Sequence, residues 1–130
     1  MTVAAGRSDV ERVPLQAVRG CVIASVQIEL GDEVLRVFQH DLLAELRKTR
    51  ARAVILDLSG VEILDRSDFR SINRTLRMAR LMSAEPLIVG LRAGIAASLA
   101  ELGAELEGVR ACQTLQQALE LVDKLTAAER

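Results

Sequence analysis

A chain of 130 residues, half of them hydrophobic, is long enough to bury one core and reads as a single domain. Only Phe38 and Phe69 are aromatic, so the core must be Leu, Val, Ile and Ala, and there is no row of stacking platforms for single-stranded nucleic acid. A net charge of −1 lacks the cationic footprint of a duplex-binding protein.

Residues 1–12 are small, polar and charged and read as a flexible tail ahead of a domain at 13–128. They lack the apolar centre of a signal peptide, and no apolar run in the chain approaches the ~18 residues of a spanning helix. A soluble, cytoplasmic protein without membrane insertion is expected. Cys21 and Cys112 stand far apart, outside any CxxC or Cys/His spacing, and read as reduced, buried thiols.

Two short strands open the domain, one in Val-Pro-Leu-Gln-Ala-Val from Val13 and one from Cys21 to Leu30, with Arg19-Gly20 as the turn. Pro14 cannot donate to a ladder, which puts the first strand at an edge. Asp32 is the expected N-cap of a helix to Arg50, whose apolar face is Val34, Leu35, Phe38, Leu42, Leu43 and Leu46. Its other face mixes acids and bases evenly and carries His40, the surface-exposed reading for a lone histidine.

Ala53 to Leu58 is almost continuously apolar, as a strand covered on both faces should be. Ser59-Gly60 turns the chain, and Val61, Ile63 and Leu64 are expected to tuck the loop onto the core. A second helix starts around Asp65 and runs to about Ala84, burying Phe69, Ile72, Leu76, Ala79 and Met82 or its neighbours. Arg66, Arg70, Arg74 and Arg77 follow one another along a second side, with Arg80 close by. Between residues 65 and 80, five arginines against Asp65 and Asp68 give a local charge of +3. Arg-rich faces are favoured at interfaces, which makes Asp65, Arg66, Asp68, Arg70 and Arg74 the expected partner-binding residues.

Pro86 to Gly90 is another strand, then a short helix from Ile95 to Leu102 stopped by Gly103. A loop at 105–108 leads to a strand at Val109–Cys112. Thr114-Leu-Gln-Gln117 is a capping box for a last helix burying Ala118, Leu119, Val122 and Leu125. Residues 101–130 carry a charge of −3, which against the basic second helix favours head-to-tail self-association. The order ββαβαβαβα implies an α/β fold with a small mixed, mostly parallel sheet and four helices.

No catalytic constellation emerges. There is no phosphate-cradling GxxxxGK[ST], and Gly90-Leu-Arg-Ala-Gly94 lacks the spacing of a dinucleotide fingerprint. Asp57, Glu62 and Asp65 share one loop, but capping and solvation account for them without a cation. The chain reads as a binding protein, with no enzyme activity, metal or cofactor expected.

Three runs carry a family resemblance: Val54 to Asp65 (Val-Ile-Leu-Asp-Leu-Ser-Gly-Val-Glu-Ile-Leu-Asp), Met78-Ala-Arg-Leu-Met82, and Ala100 to Arg110. Together they resemble a STAS domain, and within that family the RsbS-type scaffold proteins of the bacterial stressosome. The resemblance spans Val13 to Leu125. It implies a STAS fold and a non-catalytic partner-switching protein of the anti-sigma factor antagonist type. Such a protein binds a serine/threonine anti-sigma-type kinase, releases it on phosphorylation, and assembles with STAS-domain co-scaffold proteins into homo- or hetero-oligomers. The family phosphoacceptor directly follows the loop aspartate. Asp65 matches that aspartate, but Arg66 comes next and the serine is Ser67, about 100° further round a helix. Ser67 and, at a second family position, Ser98 are the candidate phosphoacceptors. The alternatives are a STAS domain with another binding task (a lipid-transport subunit or a sensory-kinase regulator) or a small-ligand sensor around Asp57, Asp65 and Gly90.

Overall fold

The computed structural model describes residues 11–101 and 108–128. β1 (Leu15–Val18) and β2 (Cys21–Ser25) form an antiparallel hairpin with Val18 opposite Cys21. Arg19 (φ 53°) and Gly20 (φ 78°) both take left-handed backbone, as the two-residue turn that matches strand twist requires. β1 is the sheet edge that Pro14 implied. β2 was expected to reach Leu30 but stops at Ser25. Ser25 is paired with Asp57, the last residue of β3 (Ala53–Asp57), and one more bond from the Val26 amide to the Asp57 carbonyl exhausts its neighbour.

β2, β3, β4 (Glu85–Val89) and β5 (Arg110–Cys112) run parallel in the order β1-β2-β3-β4-β5. Helices α1 (Asp32–Thr49), α2 (Arg66–Leu81) and α3 (Ala93–Glu101) each connect adjacent parallel strands stepping the same way. Crossovers of one hand therefore stack all three on one face. α4 (Leu115–Ala128) follows β5 and covers the other face. Strand residues divide by parity. Val22, Ala24, Val54, Leu56 and Ile88 meet Phe38, Leu42, Ile72 and Leu76, while Cys21, Ile23, Ala53, Ile55, Leu87 and Val89 meet Ala118 and Val122. The expected ββαβαβαβα order and mixed sheet are both present.

Pro86 sits in an interior strand without an unmet bond. β5 begins opposite Leu87, one residue later, so Pro86 lies beyond its end. The cap of α1 is Gly31, not Asp32. Gly31 is extended and its carbonyl accepts the Leu35 amide, leaving Asp32 as the first helical residue. There its carboxylate still favours the positive helix end. The capping box on α4 forms as expected: the Gln117 amide donates to Thr114 Oγ1 (3.1 Å), and Gln117 Oε1 accepts from the amides of Gln113 (3.0 Å) and Thr114 (3.3 Å). α4 buries Ala118 and Val122, whereas Leu119 and Leu125 are half-buried. α3 starts two residues before the expected Ile95 because Arg92 caps it, its carbonyl accepting the Ala96 amide. The stop at Gly103 and most of the 105–108 loop fall outside the described residues, as do residues 1–10 of the expected tail.

Both cysteines are free, Cys21 buried and Cys112 half-buried. They stand on β2 and β5 with two strands between, a lateral gap of roughly 14 Å, about twice what a disulfide spans. Burial, then Asp123, raises the Cys21 thiol pKa against the opposing pull of Arg19, which keeps it protonated.

Candidate functional site

The segment from Leu58 to Asp65 leaves the carboxyl end of β3, the edge where open parallel sheets present their ligands. Asp57 Oδ1 accepts the Ser59 amide (2.9 Å), and the Leu58 carbonyl accepts the Val61 amide (3.0 Å), folding the turn back on itself. Val61 and Leu64 are buried as expected, but Ile63 is 78% exposed. Two anchors already hold the loop down, and the short span between them turns Glu62 and Ile63 outward.

The neighbouring β4–α3 loop is locked to this segment. Gly90 has φ 73°, and a Cβ there would lie 2.7 Å from Ser59 Cβ. Arg92 reaches over the same turn: its Nε donates to the Ser59 carbonyl (3.2 Å) and its Nη1 lies 4.0 Å from Glu62 Oε1. Sequence reasoning weighed this glycine-flanked run against a nucleotide motif, and Gly90 as part of a small-ligand pocket, but missed Arg92. Its one signal was an arginine just after a strand-ending glycine. A groove of about 340 Å³ between the two loops is lined by Glu62, Ile63, Leu64, Arg92, Ile95 and Ser98. The exposed Ser98 hydroxyl position therefore shares a surface with the loop that leads to Ser67.

α2 opens with Asp65 as N-cap, its Oδ1 accepting the Asp68 amide (2.7 Å). Arg66 is then the first helical residue, Ser67 the second and Asp68 the third. Arg66 and Ser67 are exposed; Asp68 is half-buried. Burial first, then the charges of Asp65 and Asp32, raises the Asp68 pKa. A phosphate on Ser67 would meet a positive helix end and Arg66, opposed by a carboxylate on either side.

Arg66, Arg70, Arg74, Arg77 and Arg80 are all exposed along α2. Arg80 leaves the row, since its Nη1 donates to the Gly108 carbonyl. Arg74 lines a groove of about 300 Å³ between α1 and α2, beside Asp32 and a Thr75–Gln39 hydrogen bond (3.2 Å). Of Met82 and its neighbours, it is Ala84 that is buried, while Met82 is 39% exposed, because α2 ends at Leu81. His40 is exposed as read. Of the acidic C-terminal third, α4 sits on the opposite face of the sheet from α2, whereas Glu101 ends α3 on the α2 side. On α4, however, Asp123 is paired with Arg19 (2.8 Å) and neighboured by Lys124, while Glu105, Glu107 and Glu129 lie outside the described residues. A continuous acidic face is not visible there.

The carboxylates of Asp57 and Asp65 are engaged by local amides, and Gly90 is closed off by Ser59, so the ligand-sensor reading gains nothing from this corner. Among the described residues no group of three His, Cys, Asp or Glu could hold a metal, and no helix is long and apolar enough to cross a membrane.

The STAS domain family model matches residues 12–118. The RsbT co-antagonist protein RsbRA of Bacillus subtilis is 33% identical over 99 residues, which are 73% of this chain and 36% of that protein. The chain thus spans about a third of this relative's length. Among solved structures, a serine-to-glutamate variant of RsbS from Moorella thermoacetica superposes with a TM-score of 0.78 at 24% identity, covering 90% of this chain and 99% of that one. A chain from the molecular architecture of the stressosome, a signal integration and transduction hub, gives 0.76 at 23% identity over 87% and 98% of the two chains. At these identities the structural matches speak for the fold.

Proposed function

The chain belongs to the STAS domain family, and on that premise we propose that it is a non-catalytic partner-switching signalling domain of the stressosome or anti-sigma antagonist type. Its partner is a serine/threonine anti-sigma-type kinase, docking at the start of α2, and it assembles with STAS-domain co-scaffold proteins. Relatives named as an RsbT co-antagonist and as part of the stressosome support the class of role. The observation that carries the site is Ser67, exposed on the first turn of a capped helix and flanked by Arg66 and Arg70. Phosphate there adds about −1.5 to −2 charges between Asp65 and Asp68 and turns an attractive contact into a repulsive one for an acidic partner surface. Ser98, across the Arg92 groove, offers a second place for the same modulation.

Incubation of the protein with such a kinase and ATP, followed by mass spectrometry, is expected to place phosphate on Ser67. Ser67→Glu is expected to bind the kinase at least tenfold more weakly than Ser67→Ala, about 1.4 kcal/mol. A kinase active on a control substrate that neither binds this protein nor modifies Ser67 would sink the reading. Binding with Ser67 untouched would leave a docking subunit in which Arg66 has displaced phospho-control.

A further inference from the structure

We infer that the outer face of α2 is a docking stripe for an acidic helix of a different protein, held by Arg66, Arg70 and Arg74 and closed by Leu81; this rests on the reading of α2 as the partner-binding element. At about 100° per residue, Arg66, Arg70, Arg74, Arg77 and Leu81 fall within an arc of roughly 80°, and they span about 22 Å along the helix axis. All five are exposed. Ile63 (78%), Leu81 (87%) and Met82 (39%) are the exposed large hydrophobics among the described residues, and all three lie at the two ends of this helix. Of the three, Leu81 shares the arc of the cationic row and ends it with an exposed apolar contact point, while Ile63 lines the Arg92 groove.

The occupant follows from the chemistry. Spacing of i, i+4, i+8 repeats every ~6 Å, the interval at which a partner helix presents carboxylates on one face, with apolar residues one turn beyond. Fifteen of the seventeen basic residues are arginine, with Lys48 and Lys124 the only lysines. The planar guanidinium pairs with carboxylates bidentately, which suits a protein surface with fixed acids. A membrane surface would be expected to recruit interfacial Trp or Tyr, and the chain has no Trp or Tyr. A second copy fits less well. Among the described residues, acids on α1 alternate with Arg36, Arg47 and Lys48, and Asp123 of α4 is already paired with Arg19.

The test uses the full chain and a helical peptide of about 20 residues carrying Glu at i, i+4 and i+8 between leucines. In NMR titration the amides of α2 around Arg66–Arg74 and Leu81 are expected to shift, and the Gln version of the peptide should bind far more weakly. Charge reversal (Arg66→Glu, Arg70→Glu, Arg74→Glu) should cost roughly 10- to 100-fold in affinity, recovered by a Lys-row peptide. Leu81→Glu should weaken binding with the row intact. Circular dichroism checks that each variant is folded. Shifts elsewhere, or equal binding by the Gln peptide, overturn the stripe. So does binding to phosphatidylglycerol vesicles in place of peptide, or self-association abolished by the charge reversal. A kinase that binds wild type and an Arg74→Glu, Leu81→Glu variant equally overturns the stripe and leaves the proposed docking at the start of α2 standing. A peptide that binds where no kinase does supports the stripe and removes the kinase.

Discussion

Gly90 stands at φ 73° with Ser59 Cβ 2.7 Å from where its own Cβ would be, so a side chain there meets both backbone strain and a direct clash. Gly90→Ala is expected to destabilise the fold by about 2 kcal/mol, read as a lowered urea midpoint with unchanged slope. The displaced Ser59 would also free the turn beneath Arg92, loosening the loop that leads to Ser67. Neither reason is legible in the sequence, where Gly90 is one more glycine ending a strand. Ile63 is the companion case. Val61, Ile63 and Leu64 are equally apolar, and a loop has no period from which to tell which one points outward.

The first turn of α2 gathers Asp65, Arg66, Ser67 and Asp68, with Asp32 of α1 near enough to act on Asp68. Because the folded pKa of Asp68 lies above its ordinary value of 3.8, the folded state holds that proton more tightly than the unfolded chain. Its contribution is favourable in acid, fully present below 3.8, and is lost as pH rises through the folded pKa. Asp68→Asn removes the titration. Its stability relative to wild type is therefore expected to be greatest at neutral pH and to shrink as pH falls towards 3.8, measured as urea midpoints across that range. Elements whose signals are local were legible: the α4 capping box, the Arg19-Gly20 turn and the apolar face of α2 all formed where the residues implied. The end of β2 was not, because a strand stops where its neighbour stops.

Across the whole molecule, β3 divides two apolar layers: Leu56 faces α1 and α2, Ile55 faces α4, and both are fully buried. Leu56→Ala should cost about 2–5 kcal/mol, while Ile63→Ala should change stability by less than about 0.5 kcal/mol, with thermal and urea unfolding as the comparison. A large loss at Ile63 would mean that the loop packs inward, against its exposed position. The same layering explains why α1, α2 and α3 share one side, giving Ser67 and Ser98 a common surface without proximity in the chain.

The sequence by itself determined the elements, their order and the caps at Asp65 and Thr114, because hydrophobic period, turn chemistry and capping act over a few neighbouring residues. It also determined the cationic row on α2, which is a matter of helical spacing alone. Tertiary structure decided which of those features remain available to a partner. Closing the sheet brought Gly108 to Arg80 and took that arginine from the row, laid Arg92 over Ser59, and held Val61 and Leu64 while turning Ile63 outward. Each outcome depends on what a residue meets from a distant part of the chain, and local spacing carries no record of that meeting.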